Sequence, residues 1–307
     1  MELKEARYIL SIADNKSISK AAKELFISQP SLSKYLKNLE DRLGSCLFSR
    51  LDGEYIPTHL GERYLYYARE IMALESQWSN EYNDTMHLNG GRFKIAMPIM
   101  RSTCLLPKTL PAFHKKYPHV QIQLLEDVYF VAEHMIEDNS IDLIFINKNK
   151  LPNALDCDLL GQEEIVLIVS KDNPLSSMGV PKEGCRYPWI DLRLCAKENF
   201  ILLFPDQNTG EIALELFDEA GIRPPILFHT RNSQVSIEFA LENMGVAFAP
   251  ESYYHHVDHD HKGVCLSIGN PAVTTTLFAA HKKGKYLPRY AYDFMNIIRE
   301  YYDNRFH

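Results

Sequence analysis

Three apolar-periodic segments joined by turns of only a few residues fill the stretch from Leu3 to Gly44, a spacing that leaves room for little besides three short packed helices. Leu3, Ala6, Ile9, Leu10 and Ala13 share one helical stripe. Ser17 then stands as an N-cap, with Lys20 where a full capping box would carry Glu or Gln. The second helix turns Ile18, Ala21, Ala22 and Leu25 inward, and its small alanines permit the close approach that steeply crossed helices need. Only Phe26-Ile27-Ser28 precedes a third helix opening at Gln29-Pro30-Ser31, where proline's missing N–H falls in the unpaired first turn. That helix runs to about Leu43, with Leu32, Leu36, Leu39 and Leu43 inward and Gly44 ending it.

The outer face of the third helix shows Gln29, Ser31, Ser33, Lys34, Tyr35, Lys37 and Asn38. Short hydroxyls, amides and cations are the groups that read base edges and hold phosphates. The plainer alternative is the solvated face of a small helical domain. Next come Cys46 to Arg50 and Glu54 to Pro57, two short strands joined at the hairpin dipeptide Asp52-Gly53. Such a wing can set Arg50 beside a phosphate backbone or in a minor groove. The net charge of −7 does not oppose this, because residues 1–65 carry 10 Lys/Arg against 9 Asp/Glu and the remainder 23 against 31. An acidic body can carry a DNA-binding head whose cations cluster on one face.

Residues 1–87 resemble the LysR-type transcriptional regulators. The resemblance rests on Ser17-Ile18-Ser19-Lys20-Ala21-Ala22, Leu25 through Ser33, Leu36-Lys37-Asn38-Leu39-Glu40, Leu43-Gly44, Leu47-Phe48-Ser49-Arg50 and Pro57-Thr58 with Gly61. It implies that Gln29, Ser31, Ser33 and Lys34 enter the major groove of double-stranded DNA, while Lys37, Arg50 and Thr58 hold the backbone. Lys34 and Tyr35 stand where the family often has Arg and Gln, so bidentate base recognition is altered and no operator sequence transfers.

From Thr58 to about Met86 there is no proline and one glycine. Tyr64, Ala68, Ile71, Glu75, Trp78 and Tyr82 recur at spacings of three and four. Such a seam packs on its own domain or pairs with a second copy. Pairing is the expectation, since a two-fold dimer also presents two recognition helices to a palindrome. The resemblance agrees and implies a homodimer, further assembled to a homotetramer. Asn89-Gly90-Gly91 forms a hinge.

Beyond the hinge, strands alternate with helices, the pattern of an α/β domain with a parallel sheet. Strands are expected at Phe93–Met97, Val120–Leu124, Ile141–Ile146, Ile165–Ser170, Phe200–Leu203, Ile226–Phe228, Val246–Phe248 and Thr274–Ala280. Helices are expected at Leu105–Tyr117, Val131–Glu137, Glu211–Ala220, Ser233–Glu242 and Pro288–Tyr302. This region resembles the LysR effector domain, which is similar in fold to periplasmic solute-binding proteins. The resemblance implies two subdomains, 91–161 with 266–307 and 162–265, and a ligand in the cleft between them. The strand-end loops offer Arg101, Ser102, Thr103, Tyr129, Phe204, Arg231 and Asn232, with Val128, Asn147, Pro205, Thr209 and Ser233 nearby. Two arginines near one cleft favour an anionic effector; the alternative is that either one points to solvent or pairs with a glutamate.

The expected architecture is thus a multi-domain α/β chain: a winged helix-turn-helix (1–58), a linker helix and hinge (59–90) and a two-subdomain effector domain (91–307). No stretch approaches the roughly 18 apolar residues of a membrane span, and the N-terminus lacks a signal-peptide core. A cytoplasmic location and no membrane partner are therefore expected. The six cysteines form no CxxC pair and read as thiols. Four histidines and two aspartates between His255 and His261 read as an exposed helix end, and no metal ligand is assigned. No GxxxxGK, GxGxxG, GxSxG or HExxH occurs in a supporting context, so no catalytic residue and no cofactor beyond the effector are expected. A transport receptor would not need the head and would need export.

Overall fold

The computed structural model describes residues 1–86, 90–126, 141–147, 155–258 and 260–306. The expected helix Val131–Glu137, the candidate Tyr129 with its neighbour Val128, Asn89 of the hinge and His259 lie outside the described residues.

The head contains α1 (Leu3–Asn15), α2 (Ile18–Glu24) and α3 (Gln29–Leu43). They close on Ile9, Ile12, Ile18, Ala21, Leu32, Leu36, Leu39 and Leu47. Ser17 Oγ accepts from Lys20 N at 3.4 Å, and Gly44 ends α3 in the left-handed conformation at φ 69°. Leu3 and Leu43, expected inward, are exposed, because each lies at a helix end beyond the reach of this narrow core. The wing is β1 (Phe48–Leu51) paired with β2 (Glu54–Pro57), with Leu51 opposite Glu54. Its two-residue turn has φ 51° at Asp52 and 83° at Gly53, the positive pair of a type I′ hairpin.

Helix α4 (His59–Thr85) divides its seam in a way the periodicity does not reveal. Leu65 is buried in the head's core, Ala68 is buried within the chain as well, and α4 packs along α1. The Tyr64 hydroxyl donates to Glu5, a buried carboxylate on α1 that also binds Arg42. Tyr64 and Ala68 therefore serve the chain itself. Further along, Leu74, Trp78 and Tyr82 are 64%, 66% and 48% exposed. The helix is tied to the rest of the chain by Tyr290, whose hydroxyl meets Asn80 Oδ1 at 3.2 Å, and by Lys282, 3.9 Å from Glu70.

The remaining elements are β3 (Gly90–Ala96), α5 (Ile99–Lys116), β4 (His119–Leu125), β5 (Leu143–Ile146), β6 (Leu155–Ser170), β7 (Phe200–Leu203), α6 (Asn208–Ala220), β8 (Ile226–Thr230), α7 (Ser233–Leu241), β9 (Val246–Pro250), α8 (Glu251–Val257), β10 (Gly263–Ser267), β11 (Thr274–Lys282) and α9 (Arg289–Phe306). One sheet runs β4-β3-β5-β11-β6-β9-β7-β8, with β10 also on β6. The order places one core around Phe93, Phe113, Phe145 and Phe294 and another around Leu167, Phe200, Phe217 and Phe248.

The sheet is mixed rather than parallel. Strands β6 and β11 run antiparallel to each other and to their neighbours β9 and β5 because they are the two crossings between the lobes. Strand β6 is continuous from Leu155, whereas the apolar pattern marks a strand only from Ile165: Asp156, Asp158, Glu163 and Glu164 break the apolar run of its first half. At Gly161 an added Cβ would stand 2.3 Å from Tyr302 Cγ, so only glycine lets α9 lie on the crossing there.

Candidate functional site

The start of α3 is organised by Ser28, whose Oγ accepts from Ser31 N at 3.3 Å and lies 2.7 Å from the Ser31 hydroxyl. Burial of Leu32, Leu36 and Leu39 turns the opposite side outward. Gln29, Ser31, Lys34, Lys37 and Asn38 are exposed there, and Ser33 is half-buried at its edge. Tyr35 leaves this face: its ring meets Tyr8 edge-on at 5.1 Å and rests against α1. Neither Lys34 nor Lys37 forms an ion pair among the described residues.

Arg50 projects from the wing, exposed, with its guanidinium 4.8 Å over the Tyr55 ring and bonded to the Tyr55 hydroxyl. Stacking holds the cation in place while leaving its charge unneutralised. Thr58 is half-buried and caps α4, with its Oγ1 donating to Cys46 O at 2.8 Å and accepting from Gly61 N at 3.0 Å. The structure thus gathers Gln29, Ser31, Ser33, Lys34 and Lys37 on one helix face, with Arg50 on the hairpin that follows.

Between the lobes the register of the crossing strands sorts side chains onto two faces. Glu163 pairs with Thr275 and Glu164 with Thr274, so alternation sends these pairs opposite ways. On one face Thr275 Oγ1 accepts from Asn147 Nδ2 at 3.2 Å and from Asn208 Nδ2 at 3.1 Å, joining the end of β5 to the start of α6. Arg101 completes this seam. Its Nη1 donates to Glu163 Oε1 at 2.5 Å, to Tyr302 Oη at 2.7 Å and to Ser252 Oγ at 3.2 Å, and its guanidinium lies 4.7 Å from the Tyr253 ring centroid. Burial alone would pull its pKa down, but the Glu163 carboxylate holds it well above the ordinary value. Arg101 is therefore a glutamate-paired, neutralised strut between lobes and not an open cation.

The other candidates divide. Arg231 pairs with Asp206 at 2.7 Å, both about half exposed, and stacks 5.0 Å over the Phe204 ring. Asn232 caps α7, its Oδ1 accepting from Gln234 N at 3.0 Å. Ser102 and Thr103 both bond back to Ile99 O, at 2.7 and 2.8 Å. They line, with Leu106, Leu110, Ile122 and Leu124, a groove of about 680 Å³ between α5 and β4. This groove is separate from the seam around Thr275. Two buried polar atoms, Arg101 Nε and Gln207 Oε1, have no hydrogen-bond partner among the described residues.

Sequence reasoning missed Thr275, Asn208, Gln207 and Glu163. Asn208 carries a usable signal, as a polar residue opening a helix shortly after a buried strand. Glu163 carries none, because its burial depends on an arginine 62 positions away. The histidine segment is partly occupied: His255 Nε2 lies 2.8 Å from the Tyr187 hydroxyl, and Asp258 accepts from the backbone of Lys262 and Gly263. Among the described residues no group of three His, Cys, Asp or Glu is placed to hold a metal. All six cysteines are thiols, and burial pushes Cys195 up to about 12.

A winged helix-turn-helix with a polar recognition face, joined through a long helix to a two-lobed α/β domain, defines a DNA-binding regulator with a substrate-binding sensor. Comparison with known proteins specifies the family. Residues 3–62 match the bacterial regulatory helix-turn-helix protein model of the lysR family, and residues 87–303 match the LysR substrate binding domain. The chain belongs to the LysR family of transcriptional regulators. It is 29% identical to the HTH-type transcriptional regulator YcgK of Bacillus subtilis (strain 168), covering 98% of this chain and 94% of that one. Full-length CbnR in complex with its target DNA shares the fold at TM-score 0.67 and 20% identity, covering 98% of this chain and 99% of that one. A full-length OxyR variant from Pseudomonas aeruginosa does so at TM-score 0.71 and 19% identity, covering 97% and 95%. Among the described residues no helix is long and apolar enough to cross a membrane.

Proposed function

We propose that this regulator acts in the cytoplasm as a homodimer or a homotetramer of paired dimers, without catalytic activity, under control of a small molecule bound between its lobes. The proposed units are residues 1–58 for DNA, 59–90 for pairing and 91–307 for sensing. In the head, Gln29, Ser31, Ser33 and Lys34 contact base edges, while Lys37 and Arg50 contact phosphates; Thr58 acts through the cap it forms. The observation that carries this reading is the unpaired, exposed cationic and amide face of α3 beside the wing.

The proposed effector site comprises Phe204, Arg231 and Gln207, with Arg101 assigned to it through its unpartnered Nε. Ser102, Thr103, Asn232 and Tyr129 are carried as effector candidates on the family resemblance alone. The two orphaned buried atoms support a ligand that supplies both a hydrogen-bond donor and an acceptor. An anion would engage Arg231, whose partner Asp206 is open to competition, rather than Arg101, which is committed to Glu163. Binding shifts the population of lobe angles, and the dimer's hold on bent DNA follows.

Two measurements test the reading. Full-length protein, with and without Ser33→Ala and Lys34→Ala together, is challenged with a random-sequence duplex pool at moderate salt. Selection of a preferred sequence that the double variant no longer holds supports the recognition face; no preference in the parent overturns it. Calorimetry with a panel of carboxylates on parent and Arg231→Ala tests the anion site, and equal affinities sink it.

A further inference from the structure

Phe26 stands out among the exposed large apolar residues of the described chain, at 95%. Its neighbours Leu25 and Ile27 both pack against the head's core. The backbone lifts Phe26 away from that core by a helix-ending turn: Ile27 N donates to Ala22 O at 3.0 Å and Phe26 N to Lys23 O at 3.2 Å. Phe26 takes φ 55° there. A left-handed conformation suits glycine or asparagine and disfavours a bulky side chain, so this position combines backbone strain with an aromatic ring in water. Neither feature helps the head to fold. An outlier of this kind is a reason to look for function.

The ring's place limits what can cover it. Phe26 sits two residues before Ser28, the N-cap of α3, and three before Gln29. Three residues of chain span at most about 10 Å, so the Phe26 backbone lies within about three base-pair rises of the Gln29 backbone. Ser28, Gln29, Pro30 and Ser31, which follow closely in the chain, are exposed as well. A phenyl ring has no use for phosphate oxygens. In the major groove the apolar group a base edge offers is the C5-methyl of thymine.

We propose that Phe26 is a specificity-determining residue for operator recognition, its ring packing on the C5-methyl of a thymine beside the bases reached from the first turn of α3. The inference rests on the reading of α3 as the groove-entering helix. It makes the inter-helix turn a reader of sequence as well as a connector.

The test uses full-length protein and a duplex selected by the parent chain from a random-sequence pool. Each thymine in the selected site is replaced singly by uracil, which removes only the methyl group. The parent loses about fivefold to tenfold in affinity at one or two thymines flanking the α3 contacts. Phe26→Ala loses a similar factor on the thymine duplex and no longer responds to uracil at those positions. Phe26→Asn, which suits the left-handed backbone, melts no lower than the parent yet shows the same binding loss, so misfolding is excluded as the cause. The proposal is overturned if both variants bind the selected duplex within about twofold of the parent, or if they retain its uracil sensitivity. If the parent itself selects no sequence, the DNA-recognition reading fails and this inference with it.

Discussion

Arg101 Nη1 stands 2.5 Å from Glu163 Oε1, and each side chain is only 1% exposed. The pair joins the first turns of α5 to a crossing strand, and Glu163 Oε2 accepts from Ser252 N at 3.0 Å, bringing in the second lobe. Removing one partner leaves a buried charge without compensation, which costs about 3–5 kcal/mol. Arg101→Met and Glu163→Leu should each destabilise the effector domain by that amount in urea unfolding. The double variant should cost less than either, because the desolvation of both charges disappears together. Additive losses would show that the pair is not the unit.

Gly161 and Tyr302 meet at the same crossing. A Cβ at Gly161 would overlap the ring, so Gly161→Ala should lower stability by about 1–3 kcal/mol, the range for overpacking. Adding Tyr302→Ala should make the pair non-additive, since the ring that clashes is gone. Thermal unfolding of the four proteins closes the cycle, and strict additivity would place the cost of Gly161→Ala elsewhere.

Much of this arrangement is legible in the sequence where side-chain period and turn chemistry act locally. The α3 cap, the Asp52-Gly53 hairpin and the inward leucines Leu32, Leu36 and Leu39 each follow from a few adjacent residues. The seam between lobes is not legible, because it is assembled from residues far apart in the chain. Arg101 reads in sequence as a candidate for binding an anion, with pairing to a glutamate as the alternative, since nothing near it marks Glu163 as its partner. Likewise the apolar spacing of α4 cannot say that Leu65 and Ala68 are buried within the chain while Trp78 remains outside, as both turns have the same period.

Leu74, Trp78 and Tyr82 form an exposed apolar stripe on the second half of α4. If a second copy covers it, Trp78→Glu should convert the assembled protein to a smaller species, as a charge cannot be buried there unpaired. Sedimentation velocity at micromolar concentration reads this directly. An unchanged sedimentation coefficient would place the self-association surface elsewhere.

Lys34 and Lys37 differ in assigned role, and salt separates the roles. Lys37→Ala removes a phosphate contact, so it should weaken binding to specific and unrelated duplexes alike and lower the salt slope by about 1. Lys34→Ala should instead reduce discrimination between the selected duplex and single-base variants at one position. Identical effects of the two substitutions would mean that both lysines serve only the backbone.

Glu5 gives the head an acid-sensitive fastening. Burial would raise its pKa, but hydrogen bonds from the Tyr64 hydroxyl and Arg42 outweigh burial and leave it below the ordinary 4.5. A carboxyl with a depressed folded pKa contributes stability that is fully present above its unfolded value and is lost as pH falls through the folded one. Glu5→Gln removes this contribution. The parent should therefore melt higher than Glu5→Gln at about pH 7, and the gap should narrow as pH drops below about 4.5. Because Tyr64 lies on α4 and Glu5 on α1, tyrosine fluorescence follows the transition, read from about pH 6 to about pH 3 to span the carboxylate titration. A gap of constant size across that range would show that the charge on Glu5 is not what fastens α4 to the head.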